Sequence, residues 1–294
     1  GSASGTQPTP IADNTMTWAD GTLSTTVSVT DNKILTDAKV YATWKVDNVA
    51  VGDLASTTAG TFTNDVATIT PTAYTVSSAT ANKTVALYVY AVKDNQVVWS
   101  YTSDAITVNP KNTADVVKAT ATDVEYNGKI QQATPTLNPV SGKLPAELDN
   151  IADYTIGYDE NSDFVNVTDK PITITLTPKS SAYKGSITTT YKINPKNLST
   201  SNAIADEMVA TLKNTSYKFD GGNTNTDVLK VKKEDITLVD KATKKIDLSD
   251  YLKVDKNGYV NVTRDGKIEL ATPETGNKNY TIPSTAADAI IKST

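Results

Sequence analysis

Few kinds of side chain in this sequence can carry chemistry. It contains no cysteine and no histidine, which removes zinc sites of the usual nitrogen–sulfur type, cysteine nucleophiles and Ser–His or Cys–His pairs. Asp and Glu total 33. A glycosidase needs two of them flanking one bond, yet most stand singly beside Asn, Gly or Lys, as solvated turn residues do. A hard cation is the better prospect, since it takes several oxygens from one short turn. Asp159, Asn161 and Asp163 have the one-three-five spacing of oxygen ligands, and Asp220 with Asp227 brackets a second polar loop. Neither continues with the Gly at six and Glu at twelve of an EF-hand, and an Asx-rich hairpin loop accounts for the same residues. Calcium is the one cofactor the sequence admits; otherwise none is expected. Aromatic side chains offer another chemistry. Tyr88 and Tyr90 share a strand face, while Trp99 and Tyr101 alternate with Val98 on the returning strand. A solvent-facing strip of the four would stack on sugar rings. The plainer reading is a tyrosine-rich outer face, or one packed on the next domain.

Charge and composition limit the partners. A formal charge of −5 argues against the basic face that a nucleic-acid binder needs. No apolar run approaches the roughly 18 residues that cross a bilayer as a helix, so no membrane insertion is expected in this segment. Thr occurs 48 times against three Phe and two Met, and Arg264 is the sole arginine. Threonine is β-branched and suits strands with one face in water.

The elements that must position these residues follow a period of two rather than 3.6. Val40, Ala42, Trp44 and Val46 point one way, and Tyr41, Thr43 and Lys45 the other. Asp47-Asn48 reads as a two-residue hairpin turn returning through Val49-Ala50-Val51. Val85, Leu87, Val89 and Ala91 alternate with Tyr88 and Tyr90 ahead of the polar turn Lys93-Asp94-Asn95-Gln96, and Ile172, Ile174 and Leu176 alternate with Thr173 and Thr175. Such strands, about 90 residues to a set, describe antiparallel β-sandwiches. Ile204 to Leu212 reads as a short helix at the opening of a domain.

Internal repetition sets the organisation. Asn109-Pro110-Lys111-Asn112 recurs as Asn194-Pro195-Lys196-Asn197, each after a strand-like run, and strand followed by Asn-Pro is a natural domain exit. Asp153-Tyr154 recurs as Asp250-Tyr251, Val165-Asn166-Val167-Thr168 as Val260-Asn261-Val262-Thr263, and Thr177-Pro178 as Thr272-Pro273, in the same order. The expected domains are 10–110, 111–196 and 197–285. Residues 1–9 read as a cloning scar and flexible lead, and 286–294 as a linker or the start of a further repeat.

The middle third carries Tyr126-Asn127-Gly128-Lys129, Gly142-Lys143, Asp153-Tyr154-Thr155, Tyr158, and Tyr183-Lys184-Gly185 with Tyr191-Lys192-Ile193. In these it resembles the tandem immunoglobulin-like repeats of large bacterial surface proteins. The resemblance covers most of 114–193 and persists faintly in Tyr217, Asp250-Tyr251 and Tyr280-Thr281-Ile282. It fails at Asp169-Lys170-Pro171, where those repeats usually carry a Gly, and the first third reads as a divergent subtype. It implies an all-β chain of three tandem immunoglobulin-like antiparallel β-sandwich domains in an elongated array. It also implies a non-enzymatic structural module of the extracellular bacterial cell surface, of S-layer or adhesin-stalk type, spacing or tiling that surface. Partners would then be neighbouring domains of the same protein or further copies. The alternatives are an adhesive module binding a cell-wall or host glycan through its first domain, and a phage virion decoration. Some sandwiches of this kind form a Lys–Asn isopeptide bond beside a buried acid, and Lys118 and Asn194, with Glu125 or Glu147, are the residues the resemblance casts in those roles.

Overall fold

The computed structural model describes residues 15–18, 21–30, 35, 37–51, 59–213, 228–263, 265–283 and 289–292. Among these the chain consists of short strands, a few 3-10 turns and one α-helix, Ser201–Glu207. The all-β expectation holds. Contacts divide the chain into two compact units, residues 1–119, 137–157 and 175–188 in the first and 120–136, 158–174 and 189–294 in the second. Three strands, Tyr154–Tyr158, Ile172–Pro178 and Ile187–Tyr191, contribute residues to both.

Alternation builds the first unit's main sheet. In Lys39–Val46 every second side chain is apolar, and Val40, Ala42 and Trp44 are buried. This strand pairs antiparallel with Thr84–Lys93, Val40 opposite Ala91 and Trp44 opposite Leu87. The sheet runs Thr15–Thr17, Ile106–Asn109, Thr84–Lys93, Lys39–Val46, Val49–Ala50, with Gln96–Thr102 also on Thr84–Lys93 and Gly60–Thr61 on Lys39–Val46. Val27–Thr30 pairs with Val66–Ile69 and adds Val27, Val29, Ala67 and Ile69 to the same core. Burying each of these valines and Ile69 stabilises by roughly 1.5–3 kcal/mol. The Trp44 indole N–H donates to the Thr72 carbonyl at 2.8 Å, so the core tryptophan leaves no donor unpaired. Asp47-Asn48 (φ 48° and 67°), Asn64-Asp65 (52° and 66°) and Asp94-Asn95 (51° and 61°) make three tight hairpins. Two consecutive positive φ values mark type I′ turns, whose twist matches that of the flanking strands.

In the second unit the Thr200 hydroxyl accepts the Ala203 N–H and caps the helix. The helix ends at Glu207, short of the expected Leu212. Met208–Leu212 is instead a strand, antiparallel to Ile236–Asp240 and with Met208 and Ala210 buried; there ladder pairing wins over helical spacing. The sheet runs Val228–Lys232, Tyr259–Thr263, Lys267–Ile268, Ala289–Lys292, Met208–Leu212, Ile236–Asp240. Ala289–Lys292, within the segment read as a linker or new repeat, is thus a strand of this sheet, parallel to Met208–Leu212. Leu198, Ile204, Leu238, Leu248, Tyr251 and Val260 form the buried interior.

Candidate functional site

Each Asn-Pro-Lys-Asn copy leads into a strand, not a loop. Lys111–Asn112 pairs in parallel with Tyr183–Lys184 in the first unit, and Lys196–Asn197 pairs in parallel with Tyr280–Thr281 in the second. The Lys111 N–H donates to the Ala182 carbonyl (3.0 Å), the Lys196 N–H to Asn279 (2.9 Å) and the Leu198 N–H to Thr281 (2.8 Å). The residue after each copy, Thr113 or Leu198, is fully buried. A buried hydroxyl is costly without a partner, and that of Thr113 lies 2.7 Å from the Gly185 carbonyl and 3.1 Å from that of Lys184.

A tyrosine, a glutamate and a second aromatic ring complete each joint. In the first, Tyr183 meets Trp18 edge-on at 5.4 Å, and the Trp18 N–H donates to the Ala182 carbonyl at 2.7 Å. Glu147 accepts the Tyr183 hydroxyl (3.1 Å) and the Ser78 hydroxyl (2.6 Å), while the Asn82 amide donates to the Ser181 carbonyl. In the second, Tyr280 meets Tyr126 edge-on at 5.3 Å. Glu207 accepts the Tyr280 hydroxyl at 3.1 Å and pairs with the Lys196 ammonium. Asn279, itself buried, donates to Asn166 and accepts the Val167 N–H, both at 2.9 Å.

The electrostatics keep these groups in one charge state. Burial, then Glu147, pushes the Tyr183 phenol up; burial, then Glu207, does the same to Tyr280. The Ser78 hydroxyl bond holds the Glu147 carboxyl below its usual value, and the Glu207 bond raises Lys196. Neutral phenols therefore donate to carboxylates across the neutral range, the stronger, charge-assisted form of hydrogen bond. The arrangement is suited to holding two stretches of chain together.

The other candidate residues fall elsewhere. The expected aromatic strip is divided between two faces. Register sets Trp99 opposite Ala91 and Tyr101 opposite Val89, with a shift between Val97 and Trp99, so both rings pack against the core. Tyr88 and Tyr90 take the other face, stacked at 5.1 Å, with Tyr41 stacked on Tyr90 at 5.3 Å and the Lys45 ammonium 3.9 Å over Tyr88. Asp159, Asn161 and Asp163 lie in one loop, where Asp159 accepts the Asn161 N–H. Asp163 accepts the N–H groups of Val165 and Asn166 and the Asn166 amide. Those backbone bonds hold the Asp163 carboxyl below its usual value. Among the described residues no three His, Cys, Asp or Glu converge as metal ligands; Asp220 and Asp227 lie outside the described residues.

Lys118 and Asn194, the pair cast in an isopeptide bond, are both exposed, whereas a lysine becomes nucleophilic when burial strips its proton; Glu147 is engaged by Ser78 and Tyr183. Trp18, Ser78, Glu207 and Asn279 were not legible as a site, since each partner is far away in sequence. The signal present was the repeated Lys-Asn followed by a residue that must be buried. A cleft of about 520 Å³ opens beside the second joint, lined in part by Asn166, Asp169, Asn277, Lys278 and Asn279.

No protein-family model matches the chain, and comparison with curated proteins finds no match either.

Proposed function

We propose that the chain is a non-enzymatic structural segment of a large bacterial surface protein, three immunoglobulin-like sandwich modules in tandem with fixed rather than hinged joints. One observation carries the reading: the same joint occurs twice. Each is an Asn-Pro-Lys-Asn strand zipped in parallel onto a Tyr-bearing strand of the module that follows, with a buried Tyr held by Glu. A flexible linker leaves its backbone to water and lets modules reorient; these connections hydrogen-bond theirs to a neighbouring strand. A spacer needs that property, whereas a tether for mobile domains does not. The extracellular bacterial setting rests on the Tyr-Asn-Gly-Lys, Asp-Tyr-Thr and Tyr-x-Gly motifs, and the partners are neighbouring modules of the same protein. An adhesive role through the first module lacks comparable support, because the faces of its aromatic rings are largely taken up by one another, by Lys45 and by the core. The test is the whole chain on an array of cell-wall and host glycans. No saturable binding is expected; saturable binding abolished by Tyr41→Ser and Tyr88→Ser would replace this reading with the adhesive one.

A further inference from the structure

We infer that the chain bears tension, through parallel strand pairs that load in shear. The same parallel arrangement closes each segment here. Thr15–Thr17 lies parallel to Ile106–Asn109, with Thr15 opposite Thr107 and Thr17 opposite Asn109. Val124–Glu125 lies parallel to Ile193–Asn194, and Met208–Leu212 to Ala289–Lys292. In each, a strand near the start of a segment pairs with the strand that ends it. The two joint strands, Lys111–Asn112 and Lys196–Asn197, are parallel to their partners as well.

Direction decides how such a pair meets a pull. The chain enters a parallel pair at the N-terminal end of one strand and leaves at the C-terminal end of the other. These ends lie at opposite extremes of the ladder, so tension slides one strand along its neighbour and all bonds across the pair stretch together. An antiparallel hairpin pulled at its open end instead parts one bond at a time. Unfolding under force is set by the barrier to leaving the folded state rather than by equilibrium stability, so loading geometry matters more than the number of contacts.

The pair in the second unit shows the construction best. The Val124 N–H donates to the Lys192 carbonyl (3.0 Å) and the Tyr126 N–H to that of Asn194 (2.8 Å). The Asp123 carboxylate accepts the Lys192 N–H at 2.8 Å. Three backbone N–H groups, those of Lys192, Val124 and Tyr126, therefore donate across the pair, and the ring of Tyr126 is buried against Tyr280.

This inference rests on the structural reading for the source of the load, but the pairing can be measured without it. Because the chain contains no cysteine, introduced cysteines are unique handles for single-molecule pulling on the full chain. Thr122, Lys129 and Asn194 are all exposed. Handles at Thr122→Cys with Asn194→Cys lie at opposite ends of the pair and shear it. Handles at Lys129→Cys with Asn194→Cys lie toward the same end and peel it. Any weakening by Asn194→Cys is common to both. With three bonds sharing the load, the sheared molecule is expected to rupture at about threefold higher force than the peeled one. Equal or reversed forces would overturn the inference and leave the structural reading standing. Saturable glycan binding would overturn the structural reading whatever the forces.

Discussion

Tyr183 and Tyr280 do the same work at positions 97 residues apart. Each is a buried phenol donating to a glutamate while its ring edge meets a second aromatic. Removing the hydroxyl strands little else, so Tyr183→Phe and Tyr280→Phe are each expected to lower stability by about 1.5–3 kcal/mol, the worth of a hydrogen bond to a charged group; urea denaturation reads this. Alkaline pH tests the buried phenols collectively. Burial, assisted by Asp153, raises Tyr154 from 10.0 to about 12, and burial raises Tyr251 to about 12. The unfolded chain releases these protons near 10.0 while the folded chain keeps them. The stability they confer is therefore fully present below 10.0 and lost as pH rises toward 12. Phenolate absorbance should rise together with unfolding, not ahead of it. Glu147 has the opposite sign: its lowered carboxyl contributes stability present above its ordinary value of 4.5 and lost as pH falls below it.

Turns and ladders carry the account at the scale of elements. Asn95 sits at φ 61° in the Asp94-Asn95 hairpin, where a β-branched residue is strained. Asn95→Val is expected to cost about 1–2 kcal/mol and Asn95→Gly close to nothing, as read from thermal midpoints. Gly276, at φ 96°, has no room either: an added Cβ would lie 2.1 Å from the Asp250 carboxylate that accepts the Asn277 N–H. Gly276→Ala should therefore destabilise by about 1–3 kcal/mol in the same measurement. Alternation made the strands around Trp44 and Ile174 legible, because one buried face fixes a period of two. It was silent where partners decide. Val165-Asn166-Val167-Thr168 is loop, its amides bound by Asp163 and Asn279. The identical Val260-Asn261-Val262-Thr263 is strand, because Val260 and Val262 are buried and pair with Val231 and Leu229. The carboxylates of Asp159 and Asp163, which their spacing offers as calcium ligands, accept backbone N–H groups of their own turn.

At the scale of the whole molecule, the repeated Asn-Pro-Lys-Asn was visible as a boundary but not as a joint. Proline announces where a ladder stops; nothing local announces that the next two residues pair with a strand 72 or 84 residues on. Glu207 was unremarkable, and Glu147 stood out only as a candidate isopeptide acid, for the same reason: each is defined by a hydroxyl distant in sequence. The central claim is that the connections at 111–113 and 196–198 are folded structure. Native-state hydrogen exchange at the Lys111, Lys196 and Leu198 amides measures it most directly. Their donors are bonded to Ala182, Asn279 and Thr281, so they should be protected to a degree comparable with core amides such as that of Val108, which donates to Lys83. Exchange at the rate of an unstructured linker, while the Val108 amide stays protected, would contradict the account.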